Sequence, residues 1–340
     1  MGVQVHLHCF EYGRKANPLL EALCKKVYYY KRKTGVLANL STLPYNVKSR
    51  QSIELENNLL ANDFPILFEV LHTCYLLNDE RFKNRVKIYR HSNIEHEYYL
   101  ELARAEKDFL KRIYLKIEAA KLKNFEAIID NADYIFAVNE NDANYFKNKY
   151  KHPKTFYIPS FHANSEVEII TGKGDYVLYH GNLSISENYE AADWLIDNVF
   201  SKLKQKTIIA GLNPPDFLAD KIKNFNNIQL IKNPSETEMG DLVQNAHVNC
   251  LYTKQTTGLK LKLLNVLFTG RFVVCNKNMI AGTNFTANWG MMLSETFIKE
   301  IDDCFEMEFT HILIGERTEM LEGYSNDTNA ENVIKTIYNE

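Results

Sequence analysis

Short apolar runs alternate along this chain with stretches whose apolar positions recur every three or four residues. That alternation is the pattern of α/β layers. In the first half the runs predict strands at Val3–Phe10, Val27–Tyr30, Ile66–Leu71, Val86–Tyr89, Tyr134–Val138 and Phe156–Ile158. Between them the periodicity predicts a long helical stretch from about Ile94 to Asn131, with Phe109, Ile113, Ile117 and Ala120 as its buried stripe. The second half restarts the alternation. Strands are predicted at Tyr176–Tyr179, Thr207–Ala210, Ile228–Ile231, Val248–Leu251 and Phe272–Cys275. Helices are predicted through Ala191, Trp194, Leu195 and Val199, and over Leu259–Phe268. Strand–helix–strand units of this length place their strands parallel.

The 340 residues suit two domains. The break is expected near Ala163–Gly174, a polar, glycine-containing stretch without a periodic core, which puts the domains at residues 1–165 and 166–315. The formal net charge of −3 lacks the basic excess of a nucleic-acid binder, so no nucleic-acid partner is expected. Six cysteines without a CxxC pair read as buried, reduced thiols of a cytoplasmic protein. No apolar run reaches the roughly 18–20 residues of a spanning helix, and the start lacks a signal peptide's pattern. Peripheral contact with a membrane is a further expectation. The basic cluster Lys25, Lys26, Lys31, Arg32 and Lys33 around Tyr28–Tyr30 suits phospholipid or a lipid-linked acceptor, but such a run is more often a strand with solvated flanks.

Several segments could carry chemistry. Thr256-Thr257-Gly258-Leu259-Lys260-Leu261-Lys262 leads from a strand into a helix. Helix starts offer unpaired N–H groups and a positive dipole end to anions. Gly258 permits close backbone approach, Thr257 adds a hydroxyl, and Lys260 and Lys262 add charge for a diphosphate. Asn265 shares a helix face with Lys262 and could hydrogen-bond a ribose. An ordinary helix start with solvated lysines fits the same spacing. His180-Gly181-Asn182 with Asn188 follows another strand of the same expected sheet, so its loop should lie on the same edge. The plain alternative is a strand–helix turn with Ser186 as N-cap.

In the first half, Arg90-His91-Ser92-Asn93-Ile94-Glu95-His96 opens the long helix, with histidine, carboxylate and tyrosine close together. Such groups orient hydroxyls and move protons. Ser92 and Glu95 also have capping-box spacing. Glu69 and His72 end a further strand. GxGxxG, P-loop, GxSxG and zinc spacings are all missing, so no dinucleotide and no metal site is expected.

These segments together resemble the retaining glycosyltransferases of group 1 (the GT4-like set). The resemblance rests on Val177-Leu178-Tyr179-His180-Gly181-Asn182-Leu183 with Asn188 and Trp194. It rests also on Gly258-x-Lys260-x-Lys262-x-x-Asn265-x-x-x-x-Gly270-Arg271-x-Val273-Val274, and on Ile208–Pro214. Phe68-Glu69-x-Leu71-His72 and Arg90-x-x-Asn93-Ile94-Glu95-His96-x-Tyr98-Tyr99 extend it into the first half.

The resemblance implies a GT-B fold, two facing Rossmann-like lobes with parallel sheets and a cleft between them. It implies a nucleotide-sugar donor on the second lobe, as substrate with no further cofactor, and a glycan or lipid-linked acceptor on the first. A hexose would be transferred with retention and without a metal, in surface-polysaccharide synthesis on the cytoplasmic face of the membrane. The segment 316–340 would pack back on the first lobe. Lys260 and Lys262 would face the diphosphate, with Gly181 and Asn182 bordering it, and Asn265 would stand where a glutamate commonly holds the ribose. His72, His91, Asn93 and Glu95 would form the catalytic side. The family's first strand and glycine-rich loop would precede Met1, and with Asn265 and Ser92 this supports the alternative of a non-catalytic, degenerate GT-B protein acting as a binding or scaffold partner.

Overall fold

The computed structural model describes residues 2–13, 16–35, 41–255, 259–288 and 290–338. The chain divides into two units, Met1–Ile158 with Glu331–Glu340, and Pro159–Ala330. The break therefore precedes the expected one at residue 165. Residues 316–330, expected in the closing segment, belong to the second unit.

In the first unit, β1 (His6–Glu11) pairs in parallel with β2 (Lys26–Lys31) as a sheet of its own. Between them runs α1 (Pro18–Leu23), whose first amides are met by the Asn17 side chain and whose proline occupies the first turn. The helices α2 (Tyr45–Lys48) and α3 (Ile53–Leu60) follow, the latter capped by Ser52. A four-stranded parallel sheet holds β3 (Ile66–Glu69), β4 (Lys87–Arg90), β5 (Tyr134–Ala137) and β6 (Thr155–Tyr157) in that order. β4 and β5 are buried at every position, as central parallel strands covered on both faces should be.

The expected long helix is two helices, α4 (Glu95–Ala105) and α5 (Phe109–Phe125). Glu106 turns extended, and the Asp108 side chain accepts the Lys111 amide to start the second. The expected buried stripe is reversed. Phe109, Ile113 and Ile117 are 66 %, 39 % and 51 % exposed, while Glu118, Ala119 and Leu122 face inward. Periodicity finds an apolar stripe but cannot say which of two opposite stripes the core takes. Here Glu118 fixes the choice by accepting the Tyr45 amide at 2.7 Å and the Lys121 ammonium at 2.9 Å. Helix α6 (Glu140–Tyr150) begins at an Asn139 cap.

The second unit holds a six-stranded parallel sheet in the order β12-β11-β10-β7-β8-β9. These are β7 (Tyr176–Gly181), β8 (Lys206–Gly211), β9 (Ile228–Lys232), β10 (Val248–Leu251), β11 (Phe272–Cys275) and β12 (Met291–Leu293). β12 was not among the strands expected, because its Met291-Met292-Leu293 run has none of the β-branched or aromatic residues that mark a strand. Alternation with period two sends Val177, Tyr179 and Ile209 to one core and Tyr176, Leu178 and Ile208 to the other. Helices α7 (Ser186–Asn198), α8 (Asp216–Ile222) and α11 (Ile298–Glu306) supply residues to the first core. Helices α9 (Glu236–Asn245), α10 (Leu261–Thr269) and α12 (His311–Leu321) supply the second.

The fully buried Arg317 of α12 donates to the carbonyls of Leu267, Arg271 and Gly290 at 2.9, 3.2 and 2.8 Å. It ties the end of α10 to the starts of β11 and β12. The final helix α13 (Asn326–Tyr338) carries Val333 and Ile337, which pack on Ile88, Tyr134, Phe136 and Ile158.

Candidate functional site

In the second unit, the carboxyl ends of β7 and β8 bring Gly181 beside Gly211. A Cβ on Gly211 would lie 2.0 Å from the Gly181 carbonyl oxygen, and one on Gly181 would lie 3.2 Å from Asn188 Oδ1. The absence of side chains is what lets this strand end and loop close up. Asn182 shapes the loop. Its side-chain oxygen accepts from the Ser184 amide and hydroxyl at 3.1 and 2.7 Å, and its carbonyl accepts from Asn188 at 3.0 Å. Ser186 is the first residue of α7 and Ile185 is the N-cap, with no side-chain cap bond. Ser186 therefore does not cap, contrary to expectation.

The Asn188 side-chain oxygen accepts from Lys262 Nζ at 3.2 Å. Lys262 lies in the first turn of α10, with its ammonium 5.5 Å from the centre of the Tyr179 ring. Among the described residues it makes no ion pair with a carboxylate. Burial lowers its pKa, opposed by the charge of Glu187. His180 holds a buried Nε2 that has no hydrogen-bond partner among the described residues. Burial, helped by the Lys262 charge, pushes its pKa down to about 4. Lys260 is the N-cap of α10 and is almost completely buried. Thr257 and Gly258 lie outside the described residues. The half-buried Asn265 accepts from Asn164 at 3.5 Å, the limit of a hydrogen bond.

The end of β10 is held by residues that motif reading left out. Thr253 accepts from Asn278, exchanges bonds with Asn276 at 3.3 and 2.8 Å, and donates its hydroxyl to Glu187 in the first turn of α7. Glu187 and Thr253 stand far apart in sequence, so only the sheet order unites them. A helix start, a cation that makes no ion pair and an imidazole nitrogen that makes no hydrogen bond among the described residues, around one close-packed strand end, can receive an anion.

The first unit holds a second cluster. Val70, after β3, has φ of +61° and ψ of 156°, a conformation rarely open to a β-branched residue, and its amide donates to the Arg90 carbonyl at 2.9 Å. This turn starts the 3₁₀ segment Leu71–Leu76 and carries His72 to within 3.5 Å of Glu95. Asn46 joins them. Its amide nitrogen lies 3.4 Å from His72 Nε2 and donates to Tyr99 at 2.8 Å, and its oxygen accepts from Arg32 at 2.9 Å. Arg50 donates to the Asn46 carbonyl at 2.7 Å. Burial raises Glu95 to about 7 against the pull of Arg50, and burial with Arg50 beside it lowers His72 to about 3. At neutral pH this site pairs a neutral imidazole with a carboxyl poised to hold or release a proton. Arg32, expected among solvated or lipid-touching cations, instead turns toward Ser49 and Asn46.

Ile94, not Ser92, is the N-cap of α4, so the expected capping box does not form. His91, expected on a loop facing the sugar, is fully buried. Its Nε2 lies 2.8 Å from Asp142, which accepts also from Asn139 at 2.6 Å. Asn93 is half-buried in the turn before α4. His96 joins Tyr145, Lys149 and Tyr150 around the buried Glu126. Burial alone would raise the Glu126 pKa, but these four hydrogen bonds hold it low. His72 and Glu95 are therefore brought together, and His91 and His96 are not part of their cluster.

Residues 174–304 match the family described as "Glycosyl transferases group 1". That segment is similar to the group 1 glycosyl transferases. It contains β7 to β12 with Gly181, Lys262 and Asn265. Solved structures share the fold. S. aureus TarM is 14 % identical, with 84 % of this chain and 57 % of TarM covered at a TM-score of 0.57. Anabaena HepE, solved with UDP, is 11 % identical, with 95 % and 89 % covered at a TM-score of 0.64. A trehalose-phosphate synthase from Burkholderia xenovorans is 8 % identical, with 84 % and 75 % covered at 0.57. The chain thus spans just over half the length of TarM and most of HepE. No curated protein matches by sequence. The fold is GT-B, with two Rossmann-like units of parallel strands. Among the described residues no helix is long and apolar enough to cross a membrane.

Proposed function

We propose that this protein is a glycosyltransferase that moves a hexose from a nucleotide sugar to a glycan or lipid-linked acceptor. The observation that carries the reading is Lys262. It is a partly desolvated cation, without a carboxylate partner among the described residues, at the start of α10 beside Gly181 and the unpartnered His180. This arrangement suits a diphosphate. When the bond from the sugar's anomeric carbon to the diphosphate breaks, negative charge gathers on the leaving phosphate. Lys262 and the α10 start stabilise that charge. Asn265, three residues further along the helix, would bond ribose hydroxyls through its neutral amide. His72 and Glu95 would orient the hydroxyls of sugar or acceptor.

The relatives support the donor class. HepE was solved with UDP-glucose, and TarM with UDP and α-GlcNAc-glycerol. We extend the reading to retention of anomeric configuration, to metal independence, and to surface-polysaccharide synthesis on the cytoplasmic face of the membrane. The experiment is calorimetric titration with UDP, GDP, ADP and CMP in EDTA. Micromolar binding of one nucleotide is expected, and turnover of the matching sugar donor follows. Binding of none removes the donor site. Binding without turnover selects the non-catalytic reading, which the amide at position 265 favours.

A further inference from the structure

The large apolar side chains of Phe109, Leu110, Ile113, Tyr114 and Ile117 are 66 %, 75 %, 39 %, 40 % and 51 % exposed on one side of α5. The opposite side of the same helix is already packed through Ala119 and Leu122. A helix apolar on two opposite sides ordinarily has both covered, and a contiguous exposed apolar patch marks an interaction surface. The surrounding charge says what covers this one. Between Arg104 and Lys123 seven cations stand against three carboxylates, in a chain whose net charge is −3. Lys111, Lys116 and Lys123 are exposed and form no ion pair among the described residues. At 100° per residue, Lys116 and Lys123 fall on one flank of the apolar stripe.

We infer that α5 is a membrane-docking helix that lies in the headgroup layer of an anionic lipid surface. Phe109, Leu110, Ile113 and Ile117 enter the acyl boundary, Tyr114 stays at the headgroup level, and the flanking lysines meet lipid phosphates. A second copy of the chain fits less well, because two such faces would press like charges together. The inference deepens the reading of a lipid-linked acceptor and rests on it for its purpose, but docking can be measured without any transfer.

The full chain is sedimented with vesicles of phosphatidylcholine mixed with phosphatidylglycerol, and with pure phosphatidylcholine. Preferential binding to the anionic vesicles is expected. Each cation near such a surface is worth about fivefold in affinity, so charge reversal in Lys111→Glu/Lys116→Glu should weaken binding about twenty-fivefold or more. Phe109→Ser/Ile113→Ser, with the charge unchanged, should abolish it. Both variants should bind nucleotide as the parent does. If vesicles bind and no nucleotide does, docking stands and the donor site falls. No binding to either vesicle, or binding by the variants equal to the parent's, overturns the inference. So does a dimer in light scattering that Phe109→Ser dissolves.

Discussion

Replacing Lys262 by methionine should move binding and stability in opposite directions. The substitution keeps length and removes charge. In the free protein, the ammonium has lost much of its water and gains, among the described residues, one neutral acceptor, Asn188 Oδ1 at 3.2 Å, the face of Tyr179 and the more distant charge of Glu187. Partial compensation of this kind means that the charge contributes little or nothing to folding, and its removal should leave the melting temperature unchanged or slightly higher. With a diphosphate present the balance reverses. A charge-assisted hydrogen bond is worth about 1.5–3 kcal/mol, which is about tenfold to 150-fold in affinity. The test is calorimetry of the preferred nucleotide against both proteins, with thermal melts in its absence and at saturation. Weaker binding with an intact or raised unliganded melting temperature supports the assignment. Equal affinity in the two proteins would refute it. A large loss of unliganded stability would also refute it, by showing that Lys262 serves the fold.

Two further outcomes follow from buried charge. The Glu95 carboxyl has its pKa raised from 4.5 to about 7, so the folded state holds a proton that the unfolded state releases. The stability this contributes is full below pH 4.5 and is lost as pH rises through about 7, up to about 3 kcal/mol. Glu95→Gln should therefore gain on the parent protein in urea midpoints between pH 5 and pH 8, and parallel profiles would contradict the burial argument. Arg317→Leu takes the side-chain donor from the Leu267 and Arg271 carbonyls, while the Gly290 carbonyl keeps the Val273 amide at 3.0 Å. Unmade bonds of this kind cost about 1–3 kcal/mol each, so a loss of about 3 kcal/mol is expected from denaturant unfolding, and a loss near zero would mean that the loops reorganise around the gap.

The strands were legible because parallel α/β sheets write themselves as continuous apolar runs. β7, β8, β10 and β11 stand close to where those runs are. β12 was not legible, since Met291-Met292-Leu293 has no β-branched or aromatic residue to mark a strand. The helix at 94–131 was legible as helix but not as two helices, and its facing was inverted, because the chain places apolar side chains on both sides of α5. At the ends of β7 and β10, glycine and lysine spacing pointed to Gly181 and Lys262 as site residues. It could not show that Asn182 and Asn188 brace the loop, or that Thr253 and Glu187 meet. Asn46 and Arg50 were invisible as site residues for a similar reason. They lie far along the chain from His72 and Glu95, on short elements without a motif, and only the packing of unit one joins them. The Ser92–Glu95 spacing misled because a capping box is one use of those residue types, and Glu95 is turned toward His72 instead.

The strained turn at Val70 bears on how this protein could be engineered. Variant selection that rewards heat resistance favours glycine wherever a side chain is held at positive φ, and position 70 is such a place. A more permissive residue there would release the restraint that aims the following 3₁₀ turn at Glu95. A library screened for survival after heating would then collect improved variants whose His72 wanders from Glu95, and the role proposed for that pair would be lost while every measure of robustness rose.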